Sequence, residues 1–410
     1  MGFPVAVNIK LLQEETMKKT ISLLMVLCLT MSLLIGCGST QAEEPAATPE
    51  PAPAEETVTE TPAEAPAEEP AERVITVTDM SGDEVTITGE VKTIVNLWPA
   101  GTSSFFVMGA GDMIAGLAVN NPGTMNTWTQ FFYPGCVDIP AMGGTTPSVE
   151  EIINLAPDLV IIHPSTARDG FAQQIRDVGI PAININFSNY ETMIKAYTML
   201  GEILGGEYQE KLATWCDEVA AKQGRSQELT AGIADEDKPV VHYISGQGES
   251  LTTTMSKGSI IQSWVENSGG LYAPAVMELE GTEVTAEQIF ELNPDIIIVG
   301  GTYQHVLLKQ LQESDGWKDL DAVKNGRVYT NPYGCFNWDR FGLESNLQLD
   351  YALMCIQPEI AAENGIDRDY MVQEIVDFYG FYNGKEMTLE EAGFMLDGLM
   401  PTGEAEIPAA

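Results

Sequence analysis

Basic side chains are scarce in this chain of 410 residues. It has 20 Lys and Arg against 60 Asp and Glu, and its formal charge at pH 7 is −40. So few cations argue against nucleic acid or an anionic membrane surface as the partner. The acidity itself is accounted for by a solvated, self-repelling surface.

Catalytic and metal-binding motifs are also missing. There is no Gly-x-Ser-x-Gly elbow, no His-Glu-x-x-His and no phosphate loop, and the glycines of residues 109–116 lack the dinucleotide-binding spacing. The cysteines beyond residue 37 show no close paired spacing, so buried thiols are expected rather than a zinc site or a disulfide framework; they are Cys136, Cys216, Cys335 and Cys355. We predict no enzyme and no cofactor, with an extracytoplasmic hydrolase or an adhesin as remote alternatives.

An apolar run of full membrane-spanning length is lacking at the N-terminus as well. From Met17 the chain reads "MKKTISLLMVLCLTMSLLIGCGST", with two lysines, a short apolar run and then small residues. This pattern is typical of a secretory signal, and a transmembrane anchor is the alternative. Its Leu-Ile-Gly-Cys resembles the bacterial lipobox. We predict a signal peptide over residues 1–37, with the true start at Met17, and a lipid on Cys37 that holds the protein outside the cell membrane.

Residues 38–72 consist mainly of Pro, Ala, Glu and Thr and contain no Lys or Arg. Such a segment has too few apolar groups to offset the entropy of ordering, so we predict a disordered, extended tether.

A fifteen-residue pattern occurs twice in the remaining chain. "SVEEIINLAPDLVII" covers residues 148–162, and "TAEQIFELNPDIIIV" covers residues 285–299. Each copy opens with a capping box, Ser148 with Glu151 and Thr285 with Gln288. We expect Val149, Ile152 and Ile153, and correspondingly Ala286, Ile289 and Phe290, to form the inner face of a short helix. An apolar strand follows each helix, so the repeat predicts two similar α/β lobes.

A long helical pattern separates the two copies. Residues 206–232 place Tyr208, Leu212, Trp215 and Val219 on one stripe. We predict an N-terminal lobe over residues 73–205, a connecting helix over 206–232, and a C-terminal lobe with a helical extension over 233–410. The alternative is an ordinary surface helix of one lobe.

Residues 73–363 resemble the substrate-binding lipoproteins of iron-chelate and cobalamin ABC importers, the class with a single-helix hinge. The resembling stretches are "TVTDMSGDEVTI", "IVNLWPAGTSSFFVMGAGDMIAGL", "PSVEEIINLAPDLVI", "TAEQIFELNPDIIIV" and "WKDLDAVKNGRVYTNPYGCFNWDRFGLESNLQLDYAL". The resemblance implies two α/β lobes with mostly parallel sheets, one long connecting helix and a ligand cleft between the lobes. It also implies a monomer that delivers its ligand to a permease dimer with a cytoplasmic ATPase.

In this family the ligand contacts loops at the carboxyl ends of the strands. Carried over to this sequence, the candidate ligand-binding residues are Trp98, Thr145, His163, Tyr303, Phe336, Trp338 and Arg340. Trp98 could instead belong to the lobe core. Arg340 could clamp a carboxylate, catecholate or oxyanion, or pair internally with Asp339 or Glu344.

The histidines raise a rival hypothesis. His163 and His305 each follow a repeat strand and could face one another across the cleft, which would suit direct ligation of a metal or haem iron. We favour polar loop histidines, no metal site and an iron-siderophore type of ligand; haem, cobalamin and a molybdate-type oxyanion are the alternatives.

The resemblance also assigns a role to Glu150 and Glu287. These glutamates occupy the same position in the two repeats, next to the capping residues. In the resembling family a glutamate at this position on each lobe pairs with permease arginines.

Overall fold

The computed structural model describes residues 73–144, 147–163, 170–186 and 188–406. The predicted signal peptide, Cys37, the tether and Thr145 lie outside the described residues. Within the described ranges, no helix combines the length and the apolar character that a membrane span requires.

The first lobe is built around one parallel sheet. Its elements are, in chain order, β1 (Val74–Thr78), β2 (Glu84–Thr88), β3 (Ile94–Asn96), α1 (Pro99–Val107), β4 (Ile114–Leu117), α2 (Thr127–Phe132), α3 (Val149–Leu155), β5 (Leu159–Ile162), α4 (Phe171–Asp177), β6 (Ala182–Asn184) and α5 (Tyr190–Leu204). The sheet order is β4-β3-β5-β6, and β1 and β2 form a separate antiparallel hairpin. β3 and β5 are buried along their whole length, as expected for central strands of a parallel sheet.

The connecting helix α6 (Gly206–Thr230) follows α5 directly. Gly205 and Gly206 both have positive φ, and a side chain on Gly205 would meet the Arg73 guanidinium at 2.8 Å. At 1.5 Å per residue the helix is about 38 Å long. Its predicted stripe is buried at Trp215, whose indole N–H donates to the Leu343 carbonyl at 2.7 Å.

The second lobe repeats the architecture. Its elements are β7 (Val240–Ile244), α7 (Ile260–Asn267), β8 (Leu271–Tyr272), α8 (Ala273–Val276), α9 (Ala286–Leu292), β9 (Ile296–Val299), α10 (Gln304–Glu313), α11 (Asp321–Lys324) and β10 (Val328–Thr330). All strands are parallel, in the order β10-β9-β7-β8. Two lobes with parallel sheets joined by one long helix confirm the predicted fold class.

A helical extension follows the second lobe. It comprises α12 (Ser345–Ile356), α13 (Pro358–Glu363), α14 (Arg368–Tyr382) and α15 (Leu389–Leu396). The fully buried Asp350 of α12 accepts from Arg225 and lies 3.3 Å from the Lys222 ammonium, and both cations belong to α6. These buried ion pairs hold the connecting helix against the extension.

The repeat has the predicted capping boxes. Ser148 and Glu151 form reciprocal hydrogen bonds of 2.7 and 3.2 Å, and Thr285 and Gln288 form them at 2.9 and 3.2 Å.

The predicted inner face of these two helices is wrong in one detail. Ile152 and Ile289 are fully buried, but Ile153 and Phe290 are 44% and 36% exposed. The next residue on a helix lies 100° further round, and these seven-residue helices bury only a narrow face.

The four cysteines of the folded part are free thiols. Cys136, Cys335 and Cys355 are buried, as predicted, whereas Cys216 is half-buried.

Candidate functional site

Loops from the carboxyl ends of both sheets meet between the lobes. Trp98 follows β3, and its indole lies 5.8 Å from the Phe341 ring, which follows β10. Tyr190 follows β6, and its hydroxyl donates to the Ser345 carbonyl at 2.9 Å. The cleft therefore lies where parallel α/β sheets usually place their ligands.

Trp98 and His163 form a stacked pair in this cleft. Their ring centroids are 5.0 Å apart with an interplanar angle of 22°. Trp98 is 8% exposed and precedes α1, where its backbone N–H donates to the Asn96 side chain at 3.0 Å. His163 is half-buried, and burial lowers its pKa, which favours the neutral imidazole at pH 7. Trp98 contributes little accessible area, so the aromatic surface here is mainly that of the half-buried His163 and Phe341.

Arg340 is largely engaged within the protein. Its guanidinium donates to Asp339 at 3.1 Å, to the Ser245 carbonyl at 3.0 Å and to the Tyr243 hydroxyl at 3.3 Å. With its amide oxygen turned towards Arg340, Gln247 also accepts at 2.9 Å. Asp339 is fully buried and also accepts from Tyr243. The internal ion pair with Asp339, one of the two sequence interpretations, is present.

Three further candidates differ in accessibility. Trp338 is fully buried and packs edge-on against Tyr351 at 6.5 Å, so the structure does not bring its ring to the cleft surface. Phe336 and Tyr303 are half-buried. The Tyr303 backbone N–H donates to the Gly246 carbonyl at 3.1 Å, which joins the loops after β9 and β7.

Glu344, the second possible partner of Arg340 in the sequence analysis, binds other groups. Its buried carboxylate accepts from the backbone N–H groups of Cys335 and Phe336, at 2.6 and 2.9 Å, and from the Tyr379 hydroxyl. Burial raises its pKa to about 7, against the opposing effect of these donors. A Cβ atom on Gly334 would collide with this carboxylate, so glycine is required there. Glu344 thus fixes the turn that carries Phe336.

One polar groove was missed at the sequence level. A cavity of about 510 Å³ lies between the start of α5 and the start of α7. Its polar lining side chains include Asn189, Glu191, Gln223, Gln262, Ser263 and Glu266. No Lys or Arg of the described chain lines it. β6, which leads to Asn189, is only three residues long and ends in Asn184, so it lacked the apolar run that marked the other strands. The Asn189 capping box was the available signal.

Residues 127–333, half of the chain, match the family described as "Periplasmic binding protein". This chain belongs to that family. It is 30% identical over 260 residues to the uncharacterized ABC transporter substrate-binding lipoprotein YvrC of Bacillus subtilis, covering 62% of this chain and 77% of that one. It is 26% identical over 199 residues to the iron(3+)-hydroxamate-binding protein YxeB of the same organism, covering 46% and 60%.

A solved structure shares the fold. The molybdate periplasmic binding protein MolA of Haemophilus influenzae superposes with a TM-score of 0.65 at 18% identity, over 77% of this chain and 99% of that one. At this identity the likeness concerns the fold alone.

The other two histidines of this periplasmic binding protein have other surroundings. The His305 Nε2 is 2.8 Å from the Gly398 carbonyl of the extension. His242 is fully buried in β7, where burial lowers its pKa to about 4. Among the described residues, no group of three or more His, Cys, Asp or Glu side chains is arranged to hold a metal ion.

Glu150 and Glu287 are both exposed in the first turns of α3 and α9. Within the described ranges, neither carboxylate forms an ion pair. Each helix is joined to the following strand by a short turn and runs back along the sheet, so its first turn lies beside the carboxyl end of that strand. Both glutamates therefore lie on the cleft side of their lobes.

Proposed function

We propose that this protein is an extracytoplasmic substrate-binding lipoprotein of an ABC importer, and that it captures an iron chelate of the siderophore type. The observation that carries the proposal is the stack of Trp98 and His163, with Phe341 beside it, in the interlobe cleft of a periplasmic binding protein. A chelate with organic arms would pack on this aromatic surface, while polar groups of the cleft would fix its orientation.

Charge favours a neutral chelate over an anion. Arg340 is already paired with Asp339, so its positive charge is largely compensated within the protein. A ferric ion bound by three hydroxamates is neutral overall, so its binding would not require a free cationic side chain. The hydroxamate ligand named for the relative YxeB is consistent with this choice.

A molybdate-type oxyanion is the second candidate. Arg340 lies in the cleft, and the fold is shared with the molybdate-binding MolA. Binding of an oxyanion would require the guanidinium to exchange Asp339 or the Ser245 carbonyl for the ligand. Haem and cobalamin are further alternatives within the same transport role.

Delivery would use the predicted anchor and partner. A lipid on Cys37 would tether the monomer outside the cell membrane, and the loaded cleft would dock on a permease dimer with a cytoplasmic ATPase through Glu150 and Glu287. Binding would involve shape and charge complementarity, with no catalysis and no resident cofactor.

A fluorescence titration tests the ligand class. We expect a ferric trihydroxamate to quench tryptophan emission at lower concentration than ferric citrate, haem, cobalamin or molybdate, because Trp98 lies in the cleft. Trp98→Phe should lose most of that quenching, whereas Trp317→Phe, which changes a core residue of the second lobe, should retain it. Absence of a response to any iron chelate would refute the proposal.

A further inference from the structure

Two equivalent positions of the repeat expose a large apolar side chain. Ile153 and Phe290 lie 137 positions apart and are 44% and 36% exposed. Among the described residues only eight large hydrophobic side chains are exposed to this degree. The core of each lobe does not require them, because Ile152 and Ile289 fill the buried position of each helix.

Each of these side chains lies beside an exposed glutamate. Ile153 follows Glu150 by three positions on α3, and Phe290 follows Glu287 by three positions on α9. Side chains three residues apart on a helix are neighbours on one face. We call Glu150 with Ile153 the first patch, and Glu287 with Phe290 the second patch.

The Phe290 ring is supported from below. It packs edge-on against Trp317, with ring centroids 5.3 Å apart and an interplanar angle of 76°. Gly316 makes room for it, since a Cβ atom there would be 2.6 Å from the ring. One part of the ring is thus held by the lobe while the rest faces solvent, and little conformational entropy would be lost on covering it.

The two patches have corresponding places in the two lobes. Each begins at the carboxyl-end edge of its sheet, on the cleft side, and continues one helical turn away from it. A partner that covers both patches would therefore span the cleft opening. It would also need two equivalent contact regions, as a dimeric partner has.

We propose that Ile153 and Phe290 insert into apolar surfaces of the permease, each next to the cationic group that receives Glu150 or Glu287. This inference rests on the proposed transport function. It extends the docking contact of each lobe from one ion pair to an ion pair with an adjoining apolar contact. A second copy of this chain is a poorer occupant, because it would bring the carboxylates of both patches together and the chain carries a formal charge of −40.

The contact can be measured with the cognate permease–ATPase complex, held in lipid nanodiscs, and the mature protein in solution. We expect Ile153→Ser with Phe290→Ser to weaken binding about a hundredfold, about tenfold for each side chain no longer buried. The dependence on salt should be unchanged. Glu150→Gln with Glu287→Gln should also weaken binding, but should flatten its salt dependence, because only charge pairs are screened.

A matched control uses Val178→Ser with Phe381→Ser. Val178 and Phe381 are 48% and 50% exposed, and Phe381 also packs edge-on against a ring, that of Tyr382 at 4.8 Å. This variant should bind the complex like the wild type. Thermal unfolding and the ferric trihydroxamate titration establish that every variant is folded and binds ligand, and Ile153→Ala with Phe290→Leu gives a milder change if the serine variant unfolds.

The outcomes separate the two proposals. If the wild type binds the complex and the apolar variant binds equally well, the apolar contact is wrong while the transport function stands. If the wild type does not bind the complex, the transport function is wrong and the apolar contact with it. Self-association of the wild type that the serine variant abolishes would make the patches an interface between copies of this chain, and would also overturn the inference.

Discussion

Burial reverses the usual order in which a glutamate and a histidine titrate in this protein. The pKa of Glu344 is raised from 4.5 to about 7, and that of His242 is lowered from 6.5 to about 4. The folded state holds more protons than the unfolded state at Glu344 between these values, so the Glu344 contribution to stability is present at low pH and is lost as pH rises. The His242 contribution has the opposite sign, since stability is lost as pH falls below 6.5. Each effect is on the order of 3 kcal/mol, and the two largely cancel between pH 4.5 and 6.5.

Single substitutions should separate the two opposite dependences of stability on pH. In Glu344→Gln the free energy of unfolding should rise with pH more steeply than in the wild type over this window, because the opposing contribution of Glu344 is removed. In His242→Leu the slope should change in the opposite direction. His242→Leu should also be more stable than the wild type near pH 7 by about 1–3 kcal/mol, since neither ring nitrogen has a hydrogen-bond partner among the described residues. Urea unfolding at several pH values measures all three curves. Parallel curves for the wild type and Glu344→Gln would show that Glu344 titrates normally.

At the scale of the element, each residue of the repeat has an assignable task. Asp158 accepts from the backbone N–H groups of Lys92 and Thr93 at 2.8 Å, and Asp295 accepts from that of Val240 at 2.8 Å. Both aspartates thus tie their strand to the start of the neighbouring one. Ala156 and Asn293 end their helices in the left-handed region, with φ of 46° and 45°. Asparagine tolerates this conformation, whereas alanine is strained by it.

This difference predicts unequal effects of glycine at equivalent positions. Ala156→Gly should raise the free energy of unfolding by about 1 kcal/mol, because it removes the Cβ strain. Asn293→Gly should change it little. Ala220→Gly, in the exposed middle of α6, should lower it by about 1 kcal/mol and serves as the control for the entropic cost of glycine. Chemical denaturation of the three variants measures these differences, and destabilisation by Ala156→Gly would contradict the strain.

The sequence predicted the repeated elements and the long helix because capping pairs and apolar runs are local signals. The exposure of individual side chains was harder to predict from the sequence, because the burial of Ile153 or Phe290 depends on how a short helix lies on its sheet. Arg340 and Trp338 show the same limit within the cleft. A loop position indicated ligand contact, but whether a side chain faces the cleft or packs inward depends on partners remote in sequence, here Tyr243 and Tyr351.

At the scale of the whole molecule, the extension contacts both lobes. The Trp128 indole N–H donates to the Leu399 carbonyl at 2.8 Å, and the Lys385 ammonium lies 3.7 Å from the Phe131 ring centroid and donates to the Phe131 carbonyl. In the second lobe, the His305 Nε2 lies 2.8 Å from the Gly398 carbonyl oxygen. The two lobes are therefore joined by the extension as well as by α6, and opening them would require breaking contacts of both.

The extension should limit movement between the lobes. Spin labels on Val178→Cys and Val276→Cys, exposed positions in the first and second lobes, report the interlobe distance once Cys216 is replaced by serine. We expect one narrow distance distribution that shifts little when ferric trihydroxamate is added, because domain closure requires a hinge that can change its backbone angles. Trp128→Phe with Lys385→Met removes two contacts of the extension with the first lobe and should broaden the distribution, whereas Trp317→Phe should not. A large shift to shorter distances in the wild type would show instead that the lobes close on the ligand despite both connections.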